Sequence, residues 1–302
     1  MNFAGLPLGI RQKVVRCLEM FNKGFPILIR GETGVGKSFL ARKFHRASRW
    51  KDGEFIRVDL ASLENDLFES QLFGYDRGTF TGGLIEGKVG LLDLAQGGTV
   101  FFDEIGNLDL RYQKKLLIFL DERRYRRVGG KNYIHLNAGI IFATNIDIKG
   151  ALTEGKLRED LYHRIKTCEI ELPPLRARLF VLEEIIEALV KLKNLKPLKF
   201  TPEAIDEMKE YSWPGNLREL LNFLVELGSL GKRIIEISDL PEYVRNHNKP
   251  DSNGRIRPEL IINELSKTGG NVKETATRLG VSRQYLYKLF RTYRINPADY
   301  RR

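Results

Sequence analysis

Gly31-Glu32-Thr33-Gly34-Val35-Gly36-Lys37-Ser38 fits the pattern G-x-x-x-x-G-K-[ST] without a mismatch, between an apolar run at 25–30 and a helical pattern from Ser38 to Arg49. Strand, glycine loop and helix are the context this motif needs to bind phosphate. The glycines let backbone N–H groups converge on phosphate oxygens, and the helix N-terminus adds a favourable dipole. Lys37 supplies positive charge and Ser38 a hydroxyl for Mg²⁺, so all eight residues are nucleotide-binding candidates and a nucleoside triphosphate with Mg²⁺ is the implied ligand pair.

Outward from that loop, short apolar runs at 25–30, 55–60, 99–102, 138–144 and 168–172 alternate with helical patterns at 38–49, 64–73 and 110–121. The alternation predicts an α/β fold: a parallel sheet with helices on both faces and right-handed crossovers. Several of the runs are continuously apolar, as strands covered on both faces should be. After Pro173-Pro174 the strand signal stops and 179–192, 201–211 and 216–230 are helical in period. The expected layout is an α/β domain at 1–173, an all-helical lid at 174–244, a polar linker at 245–257 and a small helical domain at 258–302.

Val100-Phe101-Phe102-Asp103-Glu104 is an apolar strand ending in two acids, which delivers both carboxylates to the sheet edge where ligands of open α/β sheets bind. Asp103 is expected to hold Mg²⁺ through its water shell, and Glu104 is the group that orients or deprotonates an attacking water. Thr144 and Asn145 end another buried run at the same edge and are candidates for sensing a γ-phosphate. Arg158 and Arg164 can stabilise phosphoryl-transfer charge, also from a neighbouring subunit; the plainer reading is surface pairing with Glu159 and Asp160. Arg218 opens a helix after Trp213-Pro214-Gly215, where acids are normally favoured, so it is either a phosphate contact or part of a Trp-anchored corner.

Gly78-Thr79-Phe80-Thr81-Gly82-Gly83 sets an apolar aromatic among glycines, a loop built either to be exposed and to move or to pack its Phe back onto the domain. Of the net charge of +11, residues 249–302 contribute +7, with twelve Lys and Arg against five Asp and Glu, which points the tail at a polyanion. At 302 residues and 42% hydrophobic content the chain can bury substantial cores, and no leader or membrane-length apolar run is evident, so a cytoplasmic protein with no membrane partner is expected. Cys17 and Cys168 are too few for a disulfide framework and lack paired metal-ligand spacing.

Together these motifs resemble the central AAA+ domain of bacterial enhancer-binding proteins, the ATPases that remodel RNA polymerase carrying sigma-54. The resemblance covers 24–243 and is carried by Gly31-Glu-Thr-Gly-Val-Gly-Lys, Leu72-Phe-Gly-Tyr-Asp-Arg-Gly-Thr-Phe-Thr-Gly, Gly97-Gly-Thr-Val-Phe-Phe-Asp-Glu-Ile-Gly, Arg126-Arg-Val-Gly-Gly, Arg158-Glu-Asp-Leu-Tyr-His-Arg, Leu172-Pro-Pro-Leu-Arg and Trp213-Pro-Gly-Asn-Leu-Arg-Glu-Leu. It implies that Lys37, Ser38, Asp103 and Glu104 are the Walker residues, Thr144 and Asn145 a first sensor, Arg218 a second, and Arg158 and Arg164 fingers acting across subunits of a ring. The implied ring is a hexamer, with a dimer at rest as the alternative. Phe80 and Thr81 match the loop that contacts sigma-54, and 126–135 a second loop that moves with it. Thr79 and Gly83 stand where the family has alanines. Asp59 stands where it has an asparagine that holds the catalytic glutamate, so Asp59 counts among the catalytic candidates. A carboxylate there is expected to raise a neighbouring pKa or push Glu104 away.

The segment from Pro258 resembles the Fis-type helix-turn-helix that closes many of these activators, with Ser282 capping its third helix. Ser282, Arg283, Gln284 and Tyr285 are then placed for base edges of double-stranded DNA, with Lys288 and Arg291 placed for phosphates; a small protein-binding bundle is the alternative. With the first helical pattern beginning near Ile10, no receiver or ligand-sensing domain is expected before the ATPase, and control is expected from a separate regulatory protein, from the DNA or from abundance. The expected function is an ATP-hydrolysing activator of sigma-54 polymerase. A DNA-binding AAA+ regulator that does not act on sigma-54, or a scaffold that does not hydrolyse ATP, would carry the same outline.

Overall fold

The structure, a computed structural model, describes residues 5–63, 67–77, 87–245, 258–279, 281–293 and 295–300. The loop 78–83, and all of the expected linker except Arg245, lie outside the described residues. The chain divides into two compact units, Met1–Pro174 and Leu175–Arg302.

The first unit runs α1 (Leu8–Asn22), β1 (Ile27–Arg30), α2 (Lys37–Ala47), β2 (Phe55–Asp59), α3 (Phe68–Leu72), α4 (Leu91–Leu94), β3 (Thr99–Asp103), α5 (Leu110–Glu122), β4 (Arg124–Tyr125), β5 (Ile134–His135), β6 (Gly139–Thr144), α6 (Ile148–Thr153), α7 (Glu159–Ile165) and β7 (Cys168–Glu171). Five strands form one parallel sheet in the order β2-β3-β6-β1-β7. β3 and β6 are buried at every residue, which is why they read as unbroken apolar runs.

Strand alternation divides their side chains between two cores. Val100, Phe102, Ile140 and Phe142 face a core with Leu116 and Phe119 of α5, and the Phe102 and Phe142 rings stack at 5.0 Å. Phe101, Ile141, Ile27 and Ile29 face the other, with Phe21 of α1 and Phe44 of α2. Each such aromatic or aliphatic side chain contributes about 1.5–3 kcal/mol on burial, so the strand ends that carry the polar residues rest on a well-packed base.

The two cysteines, too few for a disulfide framework, still make one bridge. Cys17 and Cys168 form a single disulfide that joins α1 to β7 across 151 residues of chain. The pairing depends on tertiary order: β7 lies beside β1 at the sheet edge, and α1 packs against it.

The second unit holds two separate apolar clusters. α8 (Leu182–Leu192), α9 (Pro202–Glu210), α10 (Asn216–Ser229) and α11 (Glu242–Arg245) enclose Trp213 and Phe223, whose rings meet edge to face at 5.2 Å. The expected helical lid is present and carries one addition: β8 (Lys199–Phe200) and β9 (Ile234–Ile235) pair in parallel over two residues each. Strands that short carry no period, so sequence alternation could not reveal them. α12 (Pro258–Lys267), α13 (Val272–Arg278) and α14 (Arg283–Tyr293) surround Ile261, Leu265, Leu286 and Phe290. Asn271 caps α13 by accepting from the Lys273 and Glu274 amides, and Ser282 Oγ accepts from the Tyr285 amide at 3.1 Å as the expected cap of α14.

Candidate nucleotide site

The loop between β1 and α2 is held open by glycine geometry. Gly31 has φ 145°, and a Cβ there would lie 2.7 Å from the Leu172 carbonyl oxygen, so any side chain would push the loop off the sheet. Gly36, at φ 104°, is the left-handed residue from which α2 starts.

Lys37 is 7% exposed, with Nζ donating to the Gly31 carbonyl at 2.9 Å and lying 3.5 Å from Glu104 Oε1. Its ammonium therefore crosses the mouth of its own loop, where phosphate oxygens can replace the backbone carbonyls as acceptors. Ser38 Oγ donates to Asp103 Oδ2 at 3.4 Å, so the hydroxyl and carboxylate assigned to Mg²⁺ already converge. A loop closed to a Cβ at Gly31 and left-handed at Gly34 and Gly36, one buried ammonium, and a hydroxyl beside a buried carboxylate fit a magnesium nucleotide.

Glu104 has left-handed backbone angles, φ 57° and ψ 50°, which cost a non-glycine residue about 1–2 kcal/mol. Its carboxylate is held from two sides: Oε2 accepts from the Asn145 amide at 3.2 Å, and Oε1 faces Lys37. Asn145 Nδ2 donates to Thr33 Oγ1 at 3.0 Å, tying the end of β6 back to the phosphate loop. Thr144 is buried, and its Oγ1 accepts from the Ile146 amide at 3.3 Å. Of this pair it is Asn145 that reaches the loop.

Asp59 does not act as expected from its sequence position. It lies beside Asp103 in the β2–β3 register, yet the carboxylates are separated by Arg57, whose Nη2 is 2.8 Å from Asp103 Oδ2 and 3.9 Å from Asp59 Oδ2. Glu104 is not pushed away; it keeps Lys37 and Asn145. Arg57 was missed because an exposed arginine in a strand reads as a solvated face. The usable signal was its i, i+2 spacing to Asp59, which puts both on one face.

Arg158 and Arg164 form pairs within the chain. Arg158 meets Asp160 at 2.6 Å, and that hydrogen bond holds the Asp160 carboxyl below the usual range. Arg164 meets Asp121 at 3.0 Å and donates to the Leu120 carbonyl. The surface pairing weighed for both is thus present, with Asp121 rather than Glu159 as the partner of Arg164. In the second unit Arg218 is exposed on the first turn of α10, while Glu219 does the capping by accepting from the Gly215 amide at 2.7 Å. Trp213 is the buried anchor of this corner, donating to the Met208 carbonyl at 2.8 Å.

The stems of the two predicted moving loops are joined. Tyr75 pairs with Lys88 across the base of the 78–86 segment, and Asp76 N donates to the Val128 carbonyl at 3.1 Å. Val128 belongs to the hairpin of β4 and β5, which is pinned by Tyr125 Oη donating to Asp93 Oδ1 at 2.7 Å. Burial, and then that bond, raise the Tyr125 phenol above its ordinary range, so it remains a donor.

On α14, Arg283, Gln284, Lys288 and Arg291 are exposed, as is Ser282 just before it. Tyr285 is half-buried and packs against the domain core, whereas Tyr287 is 53% exposed and borders a cleft with Arg283, Gln284 and Lys273.

Comparison with known proteins settles the lineage. The sigma-54 interaction domain model matches residues 8–171, more than half of the chain. The chain belongs to the sigma-54 activator family. An AAA+ ATPase lid domain follows at 180–256 and a Fis-family bacterial regulatory protein domain at 258–289. Among curated relatives, the regulatory protein AtoC of Escherichia coli is 35% identical over 293 residues, 90% of this chain and 63% of AtoC. The transcriptional regulator NtrC of Rhizobium meliloti is 35% identical over 256 residues, 82% of this chain and 53% of NtrC. The chain thus spans between half and two thirds of these relatives. The crystal structure of NtrX from Brucella abortus in complex with ATP superposes with a TM-score of 0.68 at 29% identity, covering 97% of this chain and 69% of that one. Among the described residues, no helix is long and apolar enough to cross a membrane.

Proposed function

We propose that this chain is an ATP-hydrolysing activator of sigma-54 RNA polymerase, a cytoplasmic ring of subunits that binds upstream double-stranded DNA through α14. The observation that carries the hydrolytic part is the network from Thr33 through Asn145 and Glu104 to Lys37, which ties two strand ends, those of β6 and β3, to the phosphate loop.

Residues 31–38 bind the triphosphate, Lys37 moving its ammonium from the Gly31 carbonyl to phosphate oxygen. Ser38 and Asp103 are the residues that would hold Mg²⁺, which when bound would supply charge neutralisation on the phosphoryl group. Glu104 orients the attacking water and accepts its proton, and Asn145 couples the γ-phosphate end of the site to the glutamate. Arg158 and Arg164 leave Asp160 and Asp121 to serve a neighbouring subunit's site, which makes activity depend on assembly, a hexamer from dimers at rest. Arg218 of the lid contacts phosphate. Residues Gly78, Thr79, Phe80, Thr81, Gly82 and Gly83 contact sigma-54, and Arg283, Gln284, Lys288 and Arg291, with Ser282 and Tyr285, contact DNA.

The test is capture of purified sigma-54 by the full chain, with and without a transition-state mimic of ATP, alongside turnover per subunit at rising protein concentration. Mimic-dependent capture and concentration-dependent turnover are expected. Turnover without capture would assign the ATPase to another transcription complex, and absence of turnover at any concentration would leave a DNA-binding scaffold.

A further inference from the structure

We infer that Arg57 is a cationic stand-in on Asp103 and that Asp59 is the acceptor to which it is handed when Mg²⁺ arrives with nucleotide, so the pair sets the Mg²⁺ requirement of the site. The inference rests on the reading of Asp103 as a Mg²⁺ ligand.

β2 and β3 run parallel with Asp59 beside Asp103, and Arg57, two residues before Asp59, projects from the same face. Asp103 is buried, its side chain 6% exposed, and a buried carboxylate without a partner is strongly unfavourable. Arg57 meets that need: Nη2 lies 2.8 Å from Oδ2, the same oxygen that accepts from Ser38 at 3.4 Å. The two groups expected to hold the cation are thus joined to each other, and one of them also to a guanidinium.

A divalent cation bound by Ser38 and Asp103 cannot share Oδ2 with Arg57 without strong repulsion at that range. The arginine must leave. It is about half exposed, so its side chain is free to swing, and Asp59 Oδ2 is already 3.9 Å from Nη2 on a carboxylate that is itself 41% exposed. A small rotation converts the long contact into a full ion pair. An asparagine at 59 would offer an oxygen without charge and hold the displaced guanidinium less well. The arrangement also accounts for a second carboxylate being tolerated beside Asp103: it serves the arginine, not the glutamate.

The experiment is a Mg²⁺ titration of fluorescent ATP binding to the full chain, with a parallel measurement in EDTA. Arg57→Ala should lower the half-saturating Mg²⁺ about two- to fivefold, the range for a partly exposed charge pair, without strengthening binding in EDTA. Arg57→Gln, which keeps the side-chain length, should match it. Asp59→Asn should raise the half-saturating Mg²⁺ about threefold in the native background and have no effect in the Arg57→Ala background. An equal Asp59→Asn effect in both backgrounds would mean that Asp59 acts on the cation directly, and would overturn the hand-over. Asp103→Asn separates the two levels of the argument. If it leaves Mg²⁺ dependence intact, the ligand reading falls and the inference with it. If it abolishes that dependence while Arg57→Ala changes nothing, only the role of Arg57 falls.

Discussion

Replacing Glu104 by Gln removes one acceptor of protons and leaves almost everything else in place. Gln keeps an oxygen to accept from the Asn145 amide, now at 3.2 Å, and the backbone keeps its left-handed angles, so the strain of about 1–2 kcal/mol is unchanged. The ion pair with Lys37 at 3.5 Å is lost, but Lys37 retains the Gly31 carbonyl at 2.9 Å, so the folded state should lose about 1 kcal/mol or less. The chemical step is a different matter. A positioned general base contributes about 10²- to 10⁴-fold, or about 3–5 kcal/mol of barrier. Glu104→Gln should therefore bind ATP within about threefold of the native chain, melt within a few degrees of it, and turn ATP over at least about a hundred times more slowly. Steady-state phosphate release, with fluorescent-nucleotide binding on the same preparation, reads both quantities. Native turnover in Glu104→Gln would refute the assignment of the base. Loss of binding would refute the claim that Glu104 is dispensable for the cradle.

Three further outcomes are expected. Reducing the Cys17–Cys168 disulfide releases a tether spanning 151 residues, with a chain-entropy ceiling of about 5 kcal/mol, so the melting temperature of the first unit should fall on reduction and Cys17→Ser should lose that sensitivity; calorimetry with and without reductant decides it. His45 has its pKa pushed below 6.5 by burial and then by Arg46 and Arg42, so the unfolded chain takes up a proton first as the pH falls. Its contribution to stability is whole above about pH 6.5 and is lost below it, and denaturant midpoints at pH 7.5 and 5.5 should differ more for the native chain than for His45→Gln. Gly74 has φ 76°, and a Cβ would lie 2.4 Å from the Lys88 carbonyl oxygen, so Gly74→Ala should break the stem of the 78–86 loop and abolish sigma-54 capture with nucleotide affinity intact.

How much of the site could be read from the chain depended on whether its parts are adjacent in sequence or only in space. The phosphate loop was legible because Gly31 to Ser38 are consecutive, and the acidic strand end because Asp103 and Glu104 close an apolar run that is buried throughout. The five sheet strands were legible for the same reason. The two-residue pairings of β4 with β5 and β8 with β9 were not, because two residues define no period. The disulfide needed the strand order, which places β7 beside β1.

Asp59 shows a subtler limit. Its charge was readable, and the family resemblance placed it where an asparagine holds the glutamate, so a repulsive contact was expected; the sign of the outcome turned on Arg57, two residues away, whose side chain fills the space between two carboxylates. A substitution in a motif is thus interpretable only together with the residues on its own strand face. In a parallel sheet those lie at i−2 and i+2, inside the sequence but outside the motif. The unit of inference at this edge of the sheet is therefore the triad of Arg57, Asp59 and Asp103. A variant that restores asparagine at 59 while leaving Arg57 in place would strand the guanidinium on the Mg²⁺ ligand rather than recreate the ordinary site.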